Sequence, residues 1–128
     1  MIIGITLSSV VNQPMRPTPA NASECAAEQG FFWPYHDLLF DQQGVQGRDT
    51  VGKPNLKAFG KRIEGLNLSQ FDACVDSGKY VEQIYREMQQ GTDKGVTGTP
   101  AVLVNDKKLD NGQDYQLVKA AVEAALAQ

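Results

Sequence analysis

Gly95-Val96-Thr97-Gly98-Thr99-Pro100-Ala101-Val102-Leu103-Val104-Asn105 opens as a glycine-punctuated loop and closes as an apolar run. Pro100 stands at the junction. A proline contributes no ladder donor, so it belongs at the first position of a strand rather than inside one. The stretch therefore predicts a strand over Ala101–Val104. Thr99-Pro100 is also a bond that can be cis at a cost of about 0.5–1 kcal/mol, and these residues alone leave trans and cis open. Asn105-Asp106-Lys107 predicts a turn, and Lys108-Leu109-Asp110 a partner strand that ends at Asn111-Gly112.

Helices are predicted on both sides of this hairpin. Downstream, a helix runs from about Asp114 to Ala125, with Tyr115, Val118, Val122 and Ala125 facing one way. Upstream, Tyr80, Val81, Ile84, Tyr85 and Met88 recur at helical spacing, with Gly91 at or just beyond the end. Ser69-Gln70-Phe71-Asp72 has capping-box spacing and opens a short helix through Ser77, closed by Gly78. Leu56, Phe59 and Ile63 mark another, ending at Gly65. A helix over about Pro34–Gln42 buries Phe32, Tyr35, Leu38 and Leu39. An Ala-rich helix starts near Thr18, with Pro19 at its first position and Gly30 beyond its end. Gln43–Asn55 reads as a mobile loop. Ile2–Val11 is rich in β-branched residues and reads as a strand bounded by Asn12-Gln13-Pro14.

The composition excludes several classes. At 128 residues the chain predicts one domain with a single core. A net charge of −3 with no basic run leaves no electrostatic footprint for nucleic acid. No apolar run reaches the roughly 18–20 residues of a membrane span. No cofactor is expected, because neither a phosphate-binding glycine motif nor zinc spacing occurs, and no metal is expected. His36 is the only histidine and reads as a partly exposed helix residue. Glu24, Glu28, Asp37 and Asp41 read as a solvated helix face.

Three segments together resemble the DsbA-like thiol–disulfide oxidoreductases of the thioredoxin superfamily. Gly95–Asn105 is similar to their cis-proline segment. Glu24-Cys25-Ala26-Ala27-Glu28-Gln29-Gly30 with Phe32-Trp33-Pro34-Tyr35-His36-Asp37-Leu38-Leu39-Phe40 is similar to the start of their inserted helical domain. Phe71-Asp72-Ala73-Cys74-Val75-Asp76-Ser77-Gly78-Lys79-Tyr80 is the third match. The resemblance implies an α/β, thioredoxin-like fold with an inserted helical subdomain over about 18–94 and a thioredoxin-like part over 1–13 and 95–128. It also implies a cis bond before Pro100, and substrate backbone bound at Thr99 and Pro100. The family's centre is a Cys-x-x-Cys after the first core strand. Cys25 and Cys74 are the chain's two cysteines, and neither belongs to such a motif. The expectation is accordingly a chain without the catalytic strand and helix, with no catalytic residue of its own.

The remaining expectations follow from that resemblance. Cys25 and Cys74 lie in separate helices of one cluster, and they are either two buried free thiols or a structural bridge. The family's oxidising compartments favour the bridge. The implied location is extracytoplasmic, in the periplasm or cell envelope. This sequence has no positively charged leader, since its first basic residue is Arg16. The absent leader and the absent Cys-x-x-Cys share one economical explanation: a chain that starts inside a longer gene product. The implied function is protein disulfide formation or isomerisation, with no redox activity in this chain. The alternative is a non-catalytic module that binds extended peptide or unfolded protein, or self-associates through an open sheet edge as a homodimer. A related enzyme of the glutathione-transferase-kappa type needs a glutathione site and a catalytic Ser or Cys, on which these residues are silent.

Overall fold

The computed structural model describes residues 18–46 and 52–128. Six helices and one short hairpin follow in chain order: α1 (Thr18–Ala27), α2 (Phe32–Gln46), α3 (Lys53–Gly60), α4 (Leu68–Ser77), α5 (Val81–Asp93), β1 (Leu103–Val104), β2 (Lys107–Lys108) and α6 (Tyr115–Leu126). Two compact units result. One falls within Met15–Tyr85; the other includes Arg86–Gln128. The strand expected over Ile2–Val11 lies outside the described residues, as does the middle of the loop expected over Gln43–Asn55. The described parts of that loop are helical instead: α2 continues to Gln46 and α3 begins at Lys53. Pro54 sits in the first turn of α3, where its missing N–H leaves no bond unmade.

The helical unit holds the core. Ala22, Cys25 and Ala26 of α1, Tyr35 of α2, Leu56 and Phe59 of α3, Leu66, and Phe71, Cys74 and Val75 of α4 form one buried cluster. Phe31, Leu38, Leu39, Ile63 and Tyr80 pack around it. α3 packs tightly against α4 at Gly60. A Cβ on Gly60 would stand 2.6 Å from Cε1 of Phe71, so only glycine fits there. Tyr35 is fully buried, and its hydroxyl donates to the Leu56 carbonyl at 2.9 Å. Burial raises the Tyr35 pKa, which keeps the phenol a donor.

Backbone chemistry sets the helix ends. In α1, α4 and α5 a left-handed glycine follows the last turn: Gly30 (φ 82°), Gly78 (φ 64°) and Gly95 (φ 78°). Each end closes with the same pair of bonds. The glycine N–H reaches back to Ala27, Val75 or Thr92, and the next N–H reaches Ala26, Cys74 or Gly91. This is the Schellman arrangement, which satisfies carbonyls that the helix itself leaves open. Gly91 therefore lies inside α5 rather than ending it, and Gly95 is the terminator. The start of α4 also differs from expectation. Its cap is Asn67, whose side-chain oxygen accepts from the Gln70 N–H at 3.1 Å; the Ser69–Asp72 box is not used. The Gln29 side chain fixes Asn67 from outside the helix. Gln29 Oε1 accepts from the Asn67 N–H at 2.7 Å, and Gln29 Nε2 donates to the Asn67 carbonyl at 3.1 Å.

The C-terminal unit is built differently. β1 and β2 pair antiparallel, Leu103 with Lys108 and Val104 with Lys107. A further bond from the Leu109 N–H to the Val102 carbonyl, 2.9 Å, extends the ladder towards Pro100. The turn is the two-residue Asn105–Asp106, with φ of 47° and 67°. Positive φ at both central positions is the form that matches strand twist in a two-residue hairpin, and Asn and Asp tolerate it. Lys107 thus belongs to the strand and not to the turn. Asp114 caps α6, its carboxylate accepting from Gln116 N–H at 2.9 Å and Leu117 N–H at 3.3 Å. No described residue of this unit is fully buried.

Candidate functional site: the Thr99–Pro100 loop and the buried disulfide

The segment 95–102 is held at both ends. At the start, the Schellman end of α5 directs the chain, with the Val96 N–H bonded to Gly91 at 2.9 Å. At the far end, the hairpin ladder begins at Val102. Lys94 and Asp106 form an ion pair that ties the end of α5 to the hairpin turn. Both are exposed, so the pair contributes on the order of 0–1 kcal/mol. Beneath the hairpin, a Cβ on Gly112 would lie 2.7 Å from Cγ2 of Val102 and 3.1 Å from its backbone nitrogen. Only glycine allows that approach.

Between these anchors Thr97, Gly98, Thr99 and Pro100 are exposed. The Thr99–Pro100 peptide is cis. Among the described residues, Thr99 makes no hydrogen bond through its N–H, carbonyl or hydroxyl. An ordered loop with free backbone donors and acceptors beside a hairpin can accept an extended polypeptide as an added strand. No thiol lies in this segment.

The two cysteines are in the other unit. Cys25 of α1 and Cys74 of α4 are joined as a disulfide with their Cα atoms 5.8 Å apart and a sequence separation of 49. Cys25 is 0% exposed and Cys74 6%. Neither sulfur is open to attack by a substrate thiolate, and no cysteine is left free. The bridge cross-links α1 to α4, and a chain-entropy estimate for a loop of this length is about 4 kcal/mol. Thr99 and Pro100 are thus one element of the C-terminal unit, while Cys25 and Cys74 form a staple in the helical unit.

One polar cluster departs from the sequence reading. Glu28 is not part of a solvated face: its side chain is only 14% exposed. It accepts from Lys79 Nζ and from the Tyr80 hydroxyl, and Gln70 Nε2 reaches it at 3.4 Å. The Lys79 ammonium, followed by the Tyr80 hydroxyl, lowers the Glu28 pKa below its usual 4.5. The same contact with Glu28 raises both Lys79 and Tyr80. Nearby, Asn21 is buried, and its side-chain oxygen accepts from the Tyr80 N–H at 2.9 Å while its nitrogen donates to the Val75 carbonyl at 3.5 Å. These groups lock the junction of α4 and α5 onto α1. Their partners are more than forty residues away in sequence, so no local motif announces them. His36 is half-buried on α2, with its side chain 25% exposed and Nδ1 3.0 Å from Asp37. Among the described residues no cluster of His, Cys, Asp or Glu is arranged to hold a metal ion. No described helix is long and apolar enough to cross a membrane.

A sequence model of a family described as thioredoxin matches residues 3–124. The Na(+)/H(+) antiporter NhaA of Herminiimonas arsenicoxydans is 32% identical over 114 residues, which are 89% of this chain and 17% of that protein. The Na(+)/H(+) antiporter NhaA 3 of Salinispora tropica is 30% identical over 114 residues, again 17% of its length. Disulfide bond formation protein D of Bacillus subtilis is 24% identical over 95 residues, 74% of this chain and 43% of that protein. The crystal structure of oxidised BdbD from Bacillus subtilis superposes with a TM-score of 0.65 at 22% identity, covering 92% of this chain and 67% of the other. The chain therefore spans 17% of the length of these antiporters and 43% of the length of the Bacillus subtilis disulfide bond formation protein. The fold is that of BdbD: mostly helices with a small sheet.

Proposed function

Because the chain belongs to the thioredoxin family and shares its fold with a disulfide bond formation protein, we propose that it is the polypeptide-binding part of a DsbA-like thiol–disulfide oxidoreductase, working outside the cytoplasm. Thr99 and Pro100 receive the backbone of an extended or unfolded protein substrate. The helical part, about 18–94, is the inserted subdomain of such proteins, and 95–128 with 1–13 the thioredoxin-like part. The observation that carries this reading is the exposed Thr99, anchored on both sides and without a hydrogen-bond partner among the described residues. Disulfide exchange requires a substrate thiolate to attack an accessible disulfide, followed by resolution of the mixed disulfide by a second thiol. The buried Cys25–Cys74 bridge offers no such sulfur, so these 128 residues bind substrate without exchanging disulfides.

The test is the intact mass of the protein from its source organism, with alkylation before and after reduction. A mass well above that of this chain, with more than two alkylatable cysteines, supports the oxidoreductase reading. A mass equal to this chain, with two cysteines that alkylate only after reduction, excludes dithiol catalysis. It leaves the second reading, a non-catalytic peptide-binding or self-associating module. One observation favours that module: among the described residues β1 is paired on one edge only, and an open strand edge recruits another strand. Homodimerisation through that edge is the form self-association takes.

A further inference from the structure

Helix α2 is apolar on two sides. Its inner side holds Tyr35, fully buried, with Leu38 and Leu39 packed against the core. Its outer side carries a row of rings. Phe32 and Trp33 meet edge to face with centroids 5.1 Å apart, Trp33 and His36 at 5.2 Å, and His36 and Phe40 at 4.8 Å. Trp33 is 66% exposed and Phe40 46%. A helix covering one core needs one apolar stripe and presents polar residues elsewhere. The second stripe takes no part in the core, yet its rings are already ordered against one another. Contiguous exposed aromatic surface of this kind marks an interaction site, and aromatic anchors dominate binding energy.

Charge indicates the partner. The only charged residues of α2 are Asp37 and Asp41. They follow Trp33 at i+4 spacing and so border the row of rings. Neither forms an ion pair with a Lys or Arg among the described residues. The Asp37 side chain is 74% exposed. Ring faces carry the negative lobe of the aromatic quadrupole and attract cations in their own right. From Phe32 to Asp41 the outer side of α2 is therefore apolar and electronegative.

We propose that the Phe32–Trp33–His36–Phe40 side of α2 is a docking surface for basic, apolar stretches of polypeptide. An apolar side chain of the partner lies between Trp33 and Phe40. A neighbouring Arg or Lys meets Asp37, Asp41 and the ring faces. The surface stands apart from the Thr99–Pro100 reading and does not depend on it.

Trp33 is the only tryptophan of the chain, so its emission reports this surface alone. The full chain is titrated with a soluble peptide of Gly-Leu-Arg repeats. Trp33 emission is expected to move to shorter wavelength with saturation, and binding to weaken as salt is added. Phe40→Ser, and separately the double change Asp37→Asn with Asp41→Asn, are each expected to weaken binding by about tenfold. The same peptide with Glu in place of Arg is expected not to bind. An unmoved Trp33 emission with the Arg peptide, equal binding of the Glu peptide, or unchanged binding in both variants overturns the proposal. A shift that follows protein concentration with no peptide present identifies a second copy of this chain as the occupant, and also overturns it. Should Phe40→Ser fail to fold, the exposed carboxylate pair still decides the matter.

Discussion

The two units of this molecule are stabilised by opposite means. In the helical unit four helices share one buried cluster, a disulfide joins two of them, and buried side-chain hydrogen bonds from Asn21 and Tyr35 fix their register. In the unit that includes Arg86–Gln128 no described residue is fully buried, and Tyr115, Leu117 and Leu126 of α6 are 70%, 49% and 74% exposed. Its order comes from a helix-end motif, a two-residue turn, a capped helix and one glycine contact. The Thr99–Pro100 loop is in this second unit. Segments that meet partners come from the less buried end of a structure, where apolar contacts are few and backbone groups stay accessible. The disulfide lies in the unit that does not carry the Thr99–Pro100 loop.

The largest effect expected on this contrast comes from the staple. Cys25→Ala with Cys74→Ala removes a cross-link over a long loop, and denaturant unfolding should show a loss of up to about 4 kcal/mol. The amide signals of Gly98–Ala101 should stay in place while the helical unit loses stability. Movement of those signals would break the separation of roles.

Two glycines sharpen it next. Gly60→Ala drives a Cβ into the Phe71 ring, and Gly112→Ala drives one into Val102, including its backbone nitrogen. Each should cost about 2 kcal/mol, the usual penalty for overpacking a tight contact. The readouts should differ. Gly60→Ala lowers the helical unit's stability and leaves peptide affinity intact. Gly112→Ala displaces the hairpin behind Pro100 and weakens peptide binding, measurable by titration calorimetry. Equal effects of both on peptide binding would merge the two units functionally.

How far the residues announced this arrangement depends on how local each signal is. Gly30 and Gly78 marked true helix ends, because a left-handed residue is required there whatever the tertiary contacts. Pro100 and the Asn105–Asp106 turn placed the hairpin for the same local reason. Gly91 misled, since a glycine inside a helix costs only about 1 kcal/mol, and Gly95 four residues later supplies the needed positive φ. Ser69 was a plausible cap, but Gln29, distant in sequence, fixes Asn67 for that role. Glu28 read as a solvated carboxylate because its partners Lys79 and Tyr80 arrive only through folding. The stripes of α5 and α6 were legible as amphipathic, while their exposure was not: periodicity shows which residues share a face, not what covers it.

Two smaller effects test the polar locks of the helical unit. Tyr35→Phe leaves the buried Leu56 carbonyl without its donor, and should cost about 1–2 kcal/mol in denaturant unfolding. The Glu28 cluster gives a pH dependence. Its folded pKa lies below the ordinary 4.5, so its contribution is fully present above 4.5 and is lost as pH falls through the lowered value. Lys79 and Tyr80 are raised, so their share is present below their ordinary values and disappears as pH rises through the raised ones. Glu28→Gln should cost about 1 kcal/mol at neutral pH and flatten the stability profile on the acid side of 4.5. A variant profile parallel to the parent's would remove Glu28 from this role.

The central claim is that the Thr99–Pro100 loop binds extended polypeptide while the disulfide takes no part. The most direct measurement is amide NMR of the labelled chain during titration with an uncharged, extended peptide. The account predicts saturable shifts at Gly98, Thr99 and Ala101, with Cys25 and Cys74 unmoved and the bridge intact. Saturating peptide that leaves those amides in place, or shifts confined to the helices around the disulfide, would contradict it.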